Sequence, residues 1–369
     1  MEKKINFDKN NQLNNSKHEK NKNSFNSKNK SKFPEKNDTK KINKYNSKPE
    51  EMNIIKNLVK NTYFRNDYFN TFCVFKSIDE VFYLLFTDLE GSIISYNLVD
   101  NKKINEIRDE NNGLIKCIRH YLDEANKRDL ILSITEKYIK LWNLNICECL
   151  GKYNNEIKLG YVRACFLNYR NNIYICRFKS EPYPYDIKLI QILNLNGNVE
   201  AEINKYIENV CFIDSYYDKN FLKSYIIICN INYTISYDYN NNKKYHKYDD
   251  KQMGHYNIIF NDDKKGVIKM FESCEDGILR IWDFHSSELL SKINISNYRL
   301  YGICLLNNKL LLVGCEDKTM KLIEIKKGTV INSWNNSIIA LKKINHPIYG
   351  QVIVSQGGNG DINLWKKGI

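Results

Sequence analysis

The sequence predicts an all-β fold, a seven-bladed β-propeller closed by an N-terminal strand, with a disordered tail ahead of it. Three observations predict it. Apolar residues come in short runs rich in β-branched and aromatic side chains, such as Val81–Phe86 and Leu310–Val313, with no sustained helical period. A turn-plus-strand unit recurs at spacings of 46, 51, 44, 45, 41 and 42 residues, close to the roughly 40–45 residues of a four-stranded blade. The last repeat holds only three strand-like segments, so its fourth must come from the other end of the chain.

Residues 1–50 are mainly Lys, Asn and Ser, and such a segment cannot bury enough surface to offset the entropy of ordering it. The chain carries 56 Lys+Arg against 43 Asp+Glu, a formal charge of +13. Residues 1–48 hold fourteen lysines and five acids, so most of the excess lies in the tail and residues 51–369 are nearly balanced. Asn, Lys, Ile and Tyr share A/T-rich codons, and a biased genome is a sufficient cause of such a tail. The strand-like segment 53–60 follows and is expected to pair beside Ile362–Lys367, closing the ring and removing an exposed sheet edge.

The clearest repeat is Ser273–Phe284, with an Asp-Gly turn at Asp276-Gly277 and an alternating strand ending on Trp282-Asp283. Copies follow at Gly314–Ile325 and Gly358–Trp365, and precede it at Glu90–Leu98, Thr135–Leu144, Ile190–Leu195 and Thr234–Tyr239. The blade anchors are then Tyr96, Trp142, Leu193, Tyr237, Trp282, Ile323 and Trp365.

These residues resemble the WD-repeat β-propeller family. Trp282-Asp283, Trp142-Asn143 and Tyr237-Asp238 stand for its strand-ending dipeptide, and Gly254-His255 for the pair that opens a repeat. The resemblance implies a structural tetrad of His255, Ser273, Asp276 and Trp282. It covers residues 54–369 and departs from the family pattern in having one Gly-His, and in blades three and four that lack Trp and a turn Asp.

Chemistry has few footholds. The eleven cysteines are odd in number, dispersed and without a CxxC pair, which fits buried apolar side chains in a reducing compartment and no metal site. The six histidines lie at unrelated spacings, with His120 or His346 at a strand end. Neither a phosphate-binding glycine loop nor a Gly-x-Ser-x-Gly elbow occurs, and Gly357–Gly360 reads as a turn. Adjacent carboxylates such as Glu275-Asp276 fall in turns, where Asp bonds its own backbone. The expectation is therefore no catalytic residue, no cofactor and no metal. No apolar stretch reaches the roughly 18 residues of a membrane span, and Met1–Asn6 lacks a signal-peptide core. That reads as an intracellular protein, cytoplasmic or nuclear.

A closed ring with many independent loops suits a non-catalytic scaffold for protein–protein interactions within a multiprotein complex. Glu90, Glu136, Lys137, Glu275, Glu316 and Lys318 are the candidate partner-binding loop residues, expected around the channel mouth on one face. Phe178–Asp186, with two of the five prolines, is expected to protrude. Tyr residues crowding blades three and four fill pleated strand faces, the alternative being base stacking. The alternative function is an RNA- or ribonucleoprotein-associated propeller, in ribosome assembly or RNA processing, using the tail on RNA or another acidic surface. Serines 16, 24, 27, 31 and 47 are sites where phosphorylation would tune such contacts.

Overall fold

A computed structural model describes residues 52–59, 72–88, 90–108, 114–135, 137–154, 164–180, 188–205, 210–251, 255–262 and 266–367, without the side chains of 180, 255–257 and 262. The Lys/Asn-rich tail, residues 1–50, lies outside the described residues. Strand β1 (Met52–Val59) leads into blade 1, made of β2 (Phe72–Lys76), β3 (Phe82–Thr87), β4 (Ile93–Asn97) and β5 (Lys102–Ile107). Blade 2 is β6 (Cys117–Asp123), β7 (Arg128–Ile134), β8 (Tyr138–Asn143) and β9 (Glu148–Asn154). Blade 3 is β10 (Ala164–Tyr169), β11 (Asn172–Ser180), β12 (Lys188–Leu193) and β13 (Val199–Ile203). Blade 4 is β14 (Val210–Asp218), β15 (Lys223–Asn230), β16 (Thr234–Asp238) and β17 (Lys243–Tyr248). Blade 5 is β18 (His255–Asp262), β19 (Ile268–Cys274), β20 (Ile278–Asp283) and β21 (Leu289–Asn294), and blade 6 is β22 (Leu300–Asn307), β23 (Leu310–Cys315), β24 (Thr319–Glu324) and β25 (Thr329–Asn335). Blade 7 has β26 (Ile338–His346), β27 (Gly350–Gly357) and β28 (Ile362–Lys367).

Six sheets run in chain order, and the seventh runs β1-β28-β27-β26. The N-terminal strand therefore closes the ring, antiparallel to β28 from Met52↔Lys367 to Val59↔Ile362. The first strands touch their neighbours in a circuit that β2 and β26 complete, so these seven strands wall a central channel. All seven anchors lie in the third strand of a blade, the two degenerate copies included: Leu193 in β12 and Tyr237 in β16.

Continuous apolar runs are explained by where the core sits. Among the described residues there are seven apolar clusters, and each is shared by two adjacent blades. Leu167, Ile192, Ile213 and Ile228 pack between blades 3 and 4; Phe271, Leu279, Leu311 and Val313 pack between blades 5 and 6. A middle strand is covered on both faces, so β23 is buried at every residue and needs no polar alternation. Outer strands have a solvated face and alternate, as in the exposed–buried steps at the end of β13. Eight cysteines are buried in these runs, Cys73 and Cys147 are half-buried and Cys149 is exposed, all as free thiols. Among the described residues no helix is long and apolar enough to cross a membrane, which says nothing of crossing by strands.

Gly277 and Gly314 are required by geometry. Gly277 has φ +74°, and a Cβ there would lie 1.9 Å from the Ser296 carbonyl oxygen. Its own carbonyl accepts the Ile295 and Ser296 amides, tying the blade 5 turn to the chain leaving that blade. A Cβ on Gly314 would lie 2.1 Å from the Ile338 oxygen, where blades 6 and 7 approach. Gly277→Ala combines a positive φ with a backbone clash and should cost about 1–3 kcal/mol, measured as a lowered urea midpoint.

Candidate functional site

The third-strand anchors organise each blade through the face they share with the second strand. Trp142 lies opposite Ile131 and donates its indole N–H to Ser133 Oγ at 2.9 Å. Trp365 lies opposite Ile353 and donates to Ser355 Oγ at 2.7 Å. Trp282 lies opposite Met270, and at the matching place its indole donates to Glu272 Oε2 at 2.7 Å. The tetrad is thereby corrected at one position: Glu272, not Ser273, receives the Trp282 proton. Ser273 faces the other way and donates to the Tyr301 carbonyl of blade 6 at 2.6 Å. Strand parity held the signal, because counting back from the Asp276-Gly277 turn puts position 272 on the Trp282 face.

Asp276 accepts its own turn amide, Ile278 N, at 3.2 Å and both terminal nitrogens of Arg280, at 3.1 and 2.7 Å. Arg280 is 1 % exposed and also donates Nε to Asp250 Oδ2 at 2.8 Å, a carboxylate that Lys292 approaches to 2.7 Å. Sequence reasoning missed this network, since Asp250 is 26 residues before Asp276 and at the end of another blade. His255 opens β18 opposite Cys274, and its side chain lies outside the described residues.

The partner-binding candidates fall in the turns between second and third strands, and Glu136 lies outside the described residues. Strands alternate in direction, so these turns share one end of the ring with the connections between blades. Glu275 and Glu316, in adjacent blades, are joined by Arg299: its Nη2 is 3.0 Å from Glu275 and its Nε 3.9 Å from Glu316. Glu90, Lys137 and Lys318 are exposed and no contact draws them together. The described ones are not among the residues that wall the channel cavity. The expected loop at Phe178–Asp186 is also corrected in part. Phe178–Ser180 complete β11, paired with Lys188–Ile190, and residues 181–187 lie outside the described residues.

Three histidines, His120, His346 and His285, meet neighbouring blades. His120 sits within β6, not at a strand end; its Nε2 is 2.7 Å from Asp129 and its ring stacks on Phe75 of blade 1 at 3.5 Å. Burial lowers its pKa, and the Asp129 bond offsets this only in part. His346 does end β26, where its Nδ1 accepts the Ile348 amide at 3.1 Å and Nε2 meets the Leu98 carbonyl of blade 1 at 3.3 Å. His285 of blade 5 lies 3.1 Å from Asp218 of blade 4. The tyrosines of blades 3 and 4 pack on one another and on phenylalanines: Tyr169 edge-on to Tyr239 at 4.8 Å, and Tyr216 stacked on Phe260 at 4.2 Å. Tyr161, Tyr183 and Tyr185 lie outside the described residues.

The channel holds a cavity of about 460 Å³ walled by first strands. Register through the second strands places Cys73, Arg119, Cys165, Asp214, Ile259, Cys304 and Lys342 at one level of the seven blades, each opposite the residue that pairs with the position before an anchor. Burial pushes the Cys73 thiol up, against the pull of Lys342 and Arg119, and pushes Cys304 up to about 11. Both are therefore neutral near pH 7 and poor nucleophiles. Among the described residues no group of His, Cys, Asp and Glu has the geometry to hold a metal ion. Comparison with known proteins finds no family model that matches this chain and no curated protein that matches it in sequence.

Proposed function

We propose that this chain is a non-catalytic WD-repeat scaffold that assembles other proteins around a rigid ring. The observation that carries the reading is the outer edge of blade 6. Unpaired edges template unwanted strand addition, and charged side chains blunt them. Six outer strands carry such guards, for example Lys102 and Lys103 in β5, Glu200 and Glu202 in β13, and Lys243, Lys244 and Lys247 in β17. Strand β25, with the sequence TVINSWN, has none, and it exposes Val330 and Ile331. An uncharged edge with protruding β-branched side chains suits an extended peptide of a partner, with main-chain bonds giving affinity and side-chain pockets giving selectivity. The indole-to-serine bonds of Trp142 and Trp365 support the family reading.

The test is co-purification of the tagged chain from its own cells, scored for stoichiometric partners. A Val330→Lys/Ile331→Lys variant should lose a partner while its melting temperature stays within a degree or so, as for exposed sites generally. A chain recovered alone overturns the scaffold reading. Salt-dependent RNA binding that vanishes on removal of residues 1–48 would favour the ribonucleoprotein reading.

A further inference from the structure

The channel wall gathers cations without the acids to match them. Its lining includes Arg119, Lys342 and Lys343, and a single carboxylate, Asp214. Arg119 Nη1 forms a loose ion pair with Asp214 Oδ2 at 3.9 Å, beyond hydrogen-bond length, and among the described residues its buried Nε and Nη2 meet no hydrogen-bond acceptor. Lys342 is exposed, and among the described residues no acid approaches it and Lys343 Nζ reaches only the Leu306 carbonyl, at 3.0 Å. Three cations elsewhere on the blades are matched by acids: Arg128 by Asp123 at 2.7 Å, Lys321 by Asp317 at 2.8 Å, and Arg280 by two carboxylates. A second lobe of about 680 Å³, between blades 7 and 1, is lined by Lys76, Lys342 and Lys343 and by no carboxylate. Lys76 there is paired with Glu80 outside it, so Lys342 and Lys343 set its charge.

We propose that the channel binds the phosphate groups of a small soluble molecule, seated between Lys342 of blade 7, Cys73 of blade 1 and Arg119 of blade 2. The Nε–Nη2 edge of a guanidinium is a planar fork that matches two oxygens of one phosphate. A guanidinium without an acceptor is costly in a confined site, and an oxyanion entering the channel supplies acceptors once the side chain turns toward it. A carboxylate brings one negative charge, whereas a phosphate near pH 7 brings about 1.5–2, which suits a lining whose three cations face one acid. Low-dielectric walls of one sign focus the potential along the axis and draw the anion in. The cavity volume lies within the roughly 300–1,000 Å³ of small-molecule sites.

The experiment titrates sodium tripolyphosphate into the full chain by calorimetry, at ionic strength matched with chloride, with melting temperature in parallel. Saturable binding and a rising melting temperature are expected. Lys342→Gln, a change at an exposed side chain that leaves folding intact, should weaken binding roughly tenfold or more. Arg119→Lys keeps the charge but not the fork and should weaken it as well. Lys327→Gln, on the outer surface beside Glu324, should leave affinity unchanged. Inositol hexakisphosphate should compete with tripolyphosphate, and phosphatidic acid vesicles should not bind. Absence of saturable binding, an equal loss in Lys327→Gln, or Lys342-dependent binding to vesicles without binding to soluble phosphates overturns the proposal.

Discussion

Deleting Met52–Val59 should abolish cooperative unfolding of the ring. This strand is the outer edge of blade 7, paired with β28 along its whole length. Its side chains also reach two inter-blade clusters: Met52 packs with Leu341, Ile353 and Trp365, and Leu58 with Val74, Leu84 and Leu364. Each buried side chain of this size contributes about 1.5–3 kcal/mol, and the lost strand pairing adds to it. The sum approaches the roughly 5–15 kcal/mol that holds a domain together. The consequence is larger than the sum, because the edge of β28 is bared and blade 7 loses the strand pairing that ties the start of the domain to its end. Leu58→Ala is the graded version, expected to cost about 2–5 kcal/mol. A truncation that stops at residue 48 removes no described contact and should leave the melting temperature nearly unchanged. Thermal unfolding by near-UV circular dichroism separates the outcomes, and equal effects of the two deletions would refute closure by β1.

Arg280→Ala should be the most damaging single substitution in blade 5, at about 3–5 kcal/mol. The guanidinium is almost fully buried and neutralises Asp276 and Asp250, drawing the blade 5 turn and the strand-end residue Asp250 of blade 4 to one point. Removing it takes the guanidinium from both Asp276 and Asp250. Arg280→Lys should recover little, since one ammonium cannot span three bonds to two carboxylates. The same network gives an acid limb. Burial raises the Asp250 carboxyl, but Lys292 and Arg280 outweigh it and hold its pKa below the ordinary 3.8. Its contribution is therefore present above pH 3.8 and is lost as pH falls through the lower folded value. Chemical denaturation at pH 7 and at pH 3 should show the gap between wild type and Arg280→Ala narrowing in acid. A gap that stays constant would refute the assignment.

The repeat was legible because it rests on local chemistry. An Asp-Gly turn needs a positive φ, a strand buried on both faces needs an unbroken apolar run, and a blade needs a large residue at one place on its third strand. Those demands recur at a fixed spacing, so even Leu193 and Tyr237 could be found where no Trp remained. The closing strand was legible from arithmetic, as three strands in the last blade require a fourth. The tetrad was legible to within one residue: Ser273 and Glu272 are neighbours, and only strand parity tells which faces Trp282.

What the sequence could not determine is what meets across blades. His285 and Asp218 are 67 positions apart, His346 and Leu98 are 248 apart, and Arg119 and Asp214 face one channel from blades 2 and 4. Their positions carry no mutual pattern, because each is set by its own blade's register and the curvature of the ring then brings them together. For the same reason the sequence could assign Glu275 and Glu316 to turns but could not foresee that Arg299 lies between them. The sequence by itself determined the blade, its count and its closure, since these follow from periodicity and burial within forty-odd residues. Only the tertiary structure decided that three cations and one acid face each other across the channel cavity and that one outer edge of seven is unguarded, since both are properties of neighbours that chain order does not make adjacent.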